Sequence, residues 1–188
     1  MSKYSALRLL AASSLVVTSA LAPAAQTTIP LLVTATVVQT CTITAPRGLA
    51  FGTYDPVTAN LTAALNATGQ ISVTCTKGAI GAGGVAASMT LGVDPGLNPS
   101  GAQRQMRGVA GGNLLSYNVT QPPSAAPGTA CNFASGTAWT NITGPGMLTL
   151  VAATNNLARL YNVCGSIPPN QNVAPDSYSD TVHATLNF

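Results

Sequence analysis

The sequence predicts an all-β fold, an antiparallel sandwich, and three observations carry that prediction. Period-two alternation recurs along the chain, as in Ile71-Ser-Val-Thr-Cys75 and at Ala87, Met89, Leu91 and Val93, which is the pattern of strands with one buried face. Turn chemistry such as Asp94-Pro-Gly separates these runs, since Pro presets φ and Gly supplies the left-handed conformation. Only 6% of residues are charged, Glu is absent and 46% are hydrophobic, a balance opposite to that of disordered chains. The 188 residues fit one domain of ordinary size, and no 20-to-50-residue repeat is visible.

Residues 1–24 read as a secretory signal. Lys3 and Arg8 give the positive start, Leu9, Leu10, Val16, Val17 and Leu21 the apolar part, and Ala22-Pro-Ala24 a small-residue cleavage site. Ser13, Ser14, Thr18 and Ser19 interrupt the apolar run, which is short for a membrane span. Cleavage lowers Lys plus Arg from seven to five against four Asp, a side-chain charge of +1. Without a basic patch, nucleic acid is not expected as a partner.

Residues 25–38 form a separate segment ahead of a β domain over 39–188. In it Ile29, Leu31, Val33, Ala35 and Val37 are apolar while Thr28, Thr34 and Thr36 are polar, with Leu32 and Val38 breaking the pattern. The alternation predicts a strand over Thr27–Gln39 that continues through Cys41-Thr-Ile-Thr. Further strands are expected at Gly69–Thr76, Ala87–Val93, Leu115–Val119, Met147–Ala153 and Leu160–Ile167, about seven in all. Asn60–Ala67 fits either a short helix or an edge strand, and Lys77–Gly84 reads as a flexible connection. Gln121–Thr137 is a long Pro-, Gly- and Ala-rich loop. Trp139 is expected in the core.

The last run, Tyr178 to Phe188, is predicted as one strand. Tyr178, Val182, Ala184, Leu186 and Phe188 share a face, with Asp180 at its rim and His183 on the wet side. A strand left at a sheet edge offers unpaired backbone to another chain. The alternation over Ile29–Val37 is a pattern able to fill such a gap.

Cys41, Cys75, Cys131 and Cys164 make an even set behind a signal, which reads as two disulfides. Three pairings are possible. Cys41–Cys75 and Cys131–Cys164 are favoured, because each pair lies near predicted strands in its own half. Metal binding and cofactors are not expected: there is no C-x-x-C and His183 is the sole histidine. Nor is an enzyme. Asp55, Asp94 and Asp176 sit beside Pro in turns, and no nucleophile, base and orienting acid are grouped.

Phe51-Gly-Thr-Tyr54, Ile71-Ser-Val-Thr-Cys75, Arg104-Gln-Met106, Gly165-Ser-Ile167-Pro and Tyr178-x-Asp180…Leu186-Asn-Phe188 occur in one order across residues 29–188. In this they resemble the spore coat U domain family, which includes subunits of archaic, Csu-type chaperone–usher pili. The resemblance implies an incomplete immunoglobulin-like sandwich lacking its last strand. It also implies a periplasmic chaperone, an outer-membrane usher and neighbouring copies as partners, in a pilus that reaches the cell surface and supports adhesion and biofilm formation. Carried over, Ile29, Leu31, Val33, Ala35 and Val37 are the donor residues, and Tyr178, Val182, Ala184, Leu186 and Phe188 line the acceptor groove. Pro30 departs from the pattern, since it has no N–H for a ladder bond. The alternative is a secreted, non-polymerising coat or adhesin module, which needs no donor segment; a third reading is a self-complemented monomer with its own N-terminal strand folded into its own groove.

Overall fold

The computed structural model describes residues 25–81 and 88–188. The expected signal, residues 1–24, lies outside them, as do residues 82–87 of the expected Lys77–Gly84 connection.

Residues 25–36, the described part of the unit Met1–Thr36, are exposed and without helix or strand. The strand expected over Thr27–Gln39 is therefore not formed, and the first strand begins at Cys41. Alternation supplies a face but not hydrogen bonds, and a strand exists only where a neighbour satisfies its backbone.

The second unit, residues 37–188, contains nine strands among the described residues. These are β1 (Cys41–Arg47), β2 (Leu65–Cys75), β3 (Met89–Val93), β4 (Arg104–Gly108), β5 (Leu114–Thr120), β6 (Leu148–Leu150), β7 (Arg159–Ile167), β8 (Tyr178–Ser179) and β9 (Ala184–Asn187). Six form a sheet in the order β1-β2-β7-β5-β4-β8 and three form a second, β6-β3-β9. Every pairing is antiparallel. The result is an immunoglobulin-like β-sandwich.

The alternating positions meet between the sheets. Ile71 and Val73 of β2, Leu115, Tyr117 and Val119 of β5, and Tyr161, Val163 and Ile167 of β7 are buried with Met89, Leu91 and Val93 of β3. Trp139 is fully buried, and its Nε1–H donates to the Leu91 carbonyl at 2.8 Å. Both favoured disulfides form, Cys41–Cys75 across the β1–β2 pair and Cys131–Cys164 from the long loop to β7. That loop is also held by Asn162 Nδ2 donating to the Thr129 carbonyl at 2.7 Å and by Gly128 N–H donating to Leu160 O at 2.8 Å. Residues 161–164 of β7 thus have buried side chains on both faces.

Two expectations are corrected here. Arg104–Gly108 is a strand that the sequence did not suggest, because its buried ends are an arginine and a glycine. Tyr178–Phe188 is not one strand: β8 pairs with β4 in the larger sheet and β9 with β3 in the smaller. Residues 180–183 cross between sheets, with Thr181 N–H donating to Asp180 Oδ1, His183 N–H donating to Asp94 Oδ1 and the His183 carbonyl accepting from Asp94 N–H.

Candidate interaction cleft

β1 and β9 are edge strands of different sheets. A cleft of about 450 Å³ is bounded by the end of β1 with residues 48–51 on one side and residues 178–184 on the other. Ala45, Leu49 and Phe51 stand on the first wall; Tyr178, Val182 and Ala184 stand on the second. Its floor reaches the core at Ile71, Val93, Met106, Tyr117 and Val163. The lining is mainly apolar, with Arg47, Gln70 and Asp180 among its polar members.

Local chemistry sets the first wall. Gly165 in β7 leaves room for it: a Cβ there would lie 2.8 Å from both Leu49 Cδ2 and Phe51 Cζ. Phe51 meets the Tyr117 ring edge-on, with centroids 6.2 Å apart and planes at 65°, a favoured aromatic geometry. Gly52 follows at φ +77°, a conformation that a side chain disfavours. Tyr54 then fixes the stretch, its hydroxyl donating to the Pro168 carbonyl and accepting from Gln171 N–H, both at 2.9 Å.

The second wall hangs on two aspartates. Asp180 Oδ2 accepts from the Tyr117 hydroxyl at 2.7 Å, and Oδ1 accepts from Leu97 N–H at 2.9 Å. Asp94 Oδ1 accepts from His183 N–H at 2.9 Å, and its Oδ2 lies 2.8 Å from His183 Nδ1. Asp94 N–H donates in return to the His183 carbonyl at 3.0 Å. Behind them the buried Arg104 guanidinium donates to the carbonyls of Val93, Asp94 and Trp139 at 2.6–3.0 Å. Burial lowers the Arg104 pKa, opposed by Tyr117, Asp94 and Asp180. Burial and then the bond to Asp180 push the Tyr117 phenol well above its ordinary value.

Of the residues expected in the groove, Tyr178, Val182 and Ala184 line the cleft, Leu186 packs against the core, and Phe188 is exposed. The expected donor residues Ile29, Leu31, Val33, Ala35 and Val37 are all exposed. The sequence reading missed the opposite wall, which carries no alternation over residues 48–51, although Phe51-Gly52 was a visible signal. It also missed Asp94 with His183, which are 89 positions apart. Among the described residues no group of three or more His, Cys, Asp or Glu is placed to hold a metal ion.

The Spore Coat Protein U domain matches residues 27–185. The chain belongs to the spore coat protein U family. Protein U of Myxococcus xanthus is 35% identical over 189 residues, covering 95% of this chain and 93% of that protein. Among solved structures, a chain of the CsuC–CsuE chaperone–tip adhesion subunit pre-assembly complex, from the archaic chaperone–usher Csu pili of Acinetobacter baumannii, superposes with a TM-score of 0.51 at 18% identity. That match covers 81% of this chain and 41% of the other, so this spore coat U chain spans less than half the length of its structural neighbour. The likeness supports the sandwich fold.

Proposed function

We propose that the chain is a structural subunit of a surface fibre built by donor-strand exchange. The observation that carries the reading is the apolar cleft between two edge strands, reaching the core at Ile71, Val93 and Val163. A strand laid there would pair its backbone with β9 or β1 and place alternate side chains in the cleft, which is β-augmentation. Residues 29–37 have the matching pattern and are exposed. Five such side chains entering a cleft stabilise by about 1.5–3 kcal/mol each, a gross gain on the order of 10 kcal/mol before ordering costs.

In this reading a periplasmic chaperone fills the cleft first. An outer-membrane usher then exchanges that strand for the Ile29–Val37 segment of the next subunit. Head-to-tail contacts of this kind do not close and so build a fibre. The fibre lies on the cell surface and serves adhesion and biofilm formation; the role is structural, not catalytic. Membership of the spore coat U family and the fold likeness to the Csu complex support the reading.

The test is Leu31→Asp with Val33→Asp. Burying two carboxylates in an apolar cleft is strongly unfavourable, so secretion should persist while fibre growth stops. Full-length fibres from this variant would contradict the donor assignment and leave the non-polymerising module as the better account.

A further inference from the structure

The cleft raises a question of self-occupancy, and the inference below rests on the donor-strand reading. A donor segment tethered to its own groove by a short linker competes at an effective concentration in the millimolar range, about a thousandfold above micromolar neighbours. The groove is within reach in the same chain. Cys41 pairs with Cys75, Cys75 Sγ lies 3.8 Å from Met89 Sδ, and the adjacent Thr90 pairs with Asn187. The start of β1 and the end of β9 therefore share one end of the sandwich. A segment folded back there would run antiparallel to β1 along its free edge and enter its own cleft. The reversal would have to be made by residues 38–40.

Those residues are held on the other side, toward β2. Gln39 uses both atoms of its amide on one backbone unit: Nε2–H donates to Ile80 O at 2.8 Å, and Oε1 accepts from Ile80 N–H at 3.2 Å. Thr76 adds further contacts, its hydroxyl also lying 3.3 Å from Thr40 O. Its Oγ1–H donates to Val38 O at 3.2 Å, its Oγ1 accepts from Thr40 N–H at 3.1 Å, and its N–H donates to Thr40 O at 2.9 Å. The last bond continues the β1–β2 ladder beyond Cys41. A three-residue hairpin loop also needs a left-handed residue, usually Gly or Asn. Val38, Gln39 and Thr40 offer neither, and none has positive φ. Val38 and Thr40 are β-branched, the type that most resists that conformation.

We propose that the Gln39–Ile80 amide clamp, with Thr76, blocks intramolecular filling of the cleft and so reserves it for a second copy of the chain. Gln39 is then a positioning residue for assembly, not part of the donor strand or of the groove.

The test compares three proteins without signal or chaperone: the mature chain, Gln39→Gly/Thr40→Gly, and a chain lacking residues 25–37. Each is refolded from denaturant and run unboiled on a denaturing gel, with unfolding followed in parallel. The mature chain should give a ladder that the deletion abolishes. The glycine variant should raise the ratio of compact, cooperatively unfolding monomer to ladder by about tenfold, because its tether can turn. Gln39→Ala, which keeps the backbone unaltered, is the second variant should the double one not fold; faster hydrogen exchange at the Ile80 amide marks loss of its clamp. An unchanged ratio in a variant whose clamp is lost overturns the proposal and leaves donor-strand assembly standing. A mature chain that gives no ladder, or a ladder that survives the deletion, overturns both.

Discussion

The Tyr117 hydroxyl donates to Asp180 Oδ2 at 2.7 Å, joining β5 of the larger sheet to the segment that crosses to the smaller one. Both residues line the cleft. The bond therefore links the core to the cleft wall. Tyr117→Phe removes a hydrogen bond to a charged, half-buried group and should cost about 1–2 kcal/mol in chemical denaturation. It should also speed hydrogen exchange at Leu97, whose N–H is held by the same carboxylate. Unchanged exchange at Leu97 would mean that the crossing is fixed elsewhere.

Arg104 has a larger predicted effect. Its guanidinium satisfies three carbonyls from two loops and β3. Arg104→Met fills much of the space but leaves those carbonyls without their donor, so destabilisation on the order of 3 kcal/mol is expected, with reduced yield. Arg104→Lys should recover only part of this, since an ammonium cannot reproduce the fork. Urea titration of the two variants checks the order.

Gly165→Ala tests the cleft rather than the core. The added methyl would meet Leu49 and Phe51 at 2.8 Å, side chains that can yield only by moving within or into the cleft. Polymer formation should fall more than the melting temperature does. A large loss of melting temperature with assembly unchanged would contradict the placement of this wall.

Stability should fall in acid. For Asp94, burial raises the pKa but is outweighed by His183 N–H, the His183 ring and Gly96 N–H, leaving it below the ordinary 3.8. Asp55 is lowered chiefly by the Thr58 hydroxyl, and Asp176 chiefly by Gly111 N–H. A carboxylate depressed in the folded state contributes stability that is present above its unfolded pKa and lost as pH falls through the folded one. The melting temperature should therefore drop below about pH 4, and Asp94→Asn should flatten that drop while lowering the plateau. Melting curves of both proteins from pH 2 to 6 decide it.

Much of the sandwich was legible because its core obeys alternation. Ile71-x-Val73-x-Cys75 and Leu115-x-Tyr117-x-Val119 face inward as a period of two requires, and both disulfides join cysteines near expected strands. What was not legible depended on contacts far apart in sequence. The same-face pattern of Tyr178, Val182 and Ala184 runs straight through a change of sheet, since a crossing segment that lines a cleft keeps its apolar side chains. β4 hid because a buried arginine satisfied by carbonyls has no apolar signature. Thr27–Gln39 has a strand's pattern without a strand's partner, so its alternation describes what it would match rather than what it forms. Half of the cleft was visible in the terminal stretch, and the Leu49–Phe51 wall emerged only through Gly165.

The most direct measurement is on the chain coexpressed with its chaperone and usher and isolated from the cell surface, run unboiled and boiled on a denaturing gel, with and without residues 25–37. The account predicts a ladder of multimers that collapses to one band on boiling and is absent from the deletion. A single monomer band in both lanes of the full mature chain would contradict it.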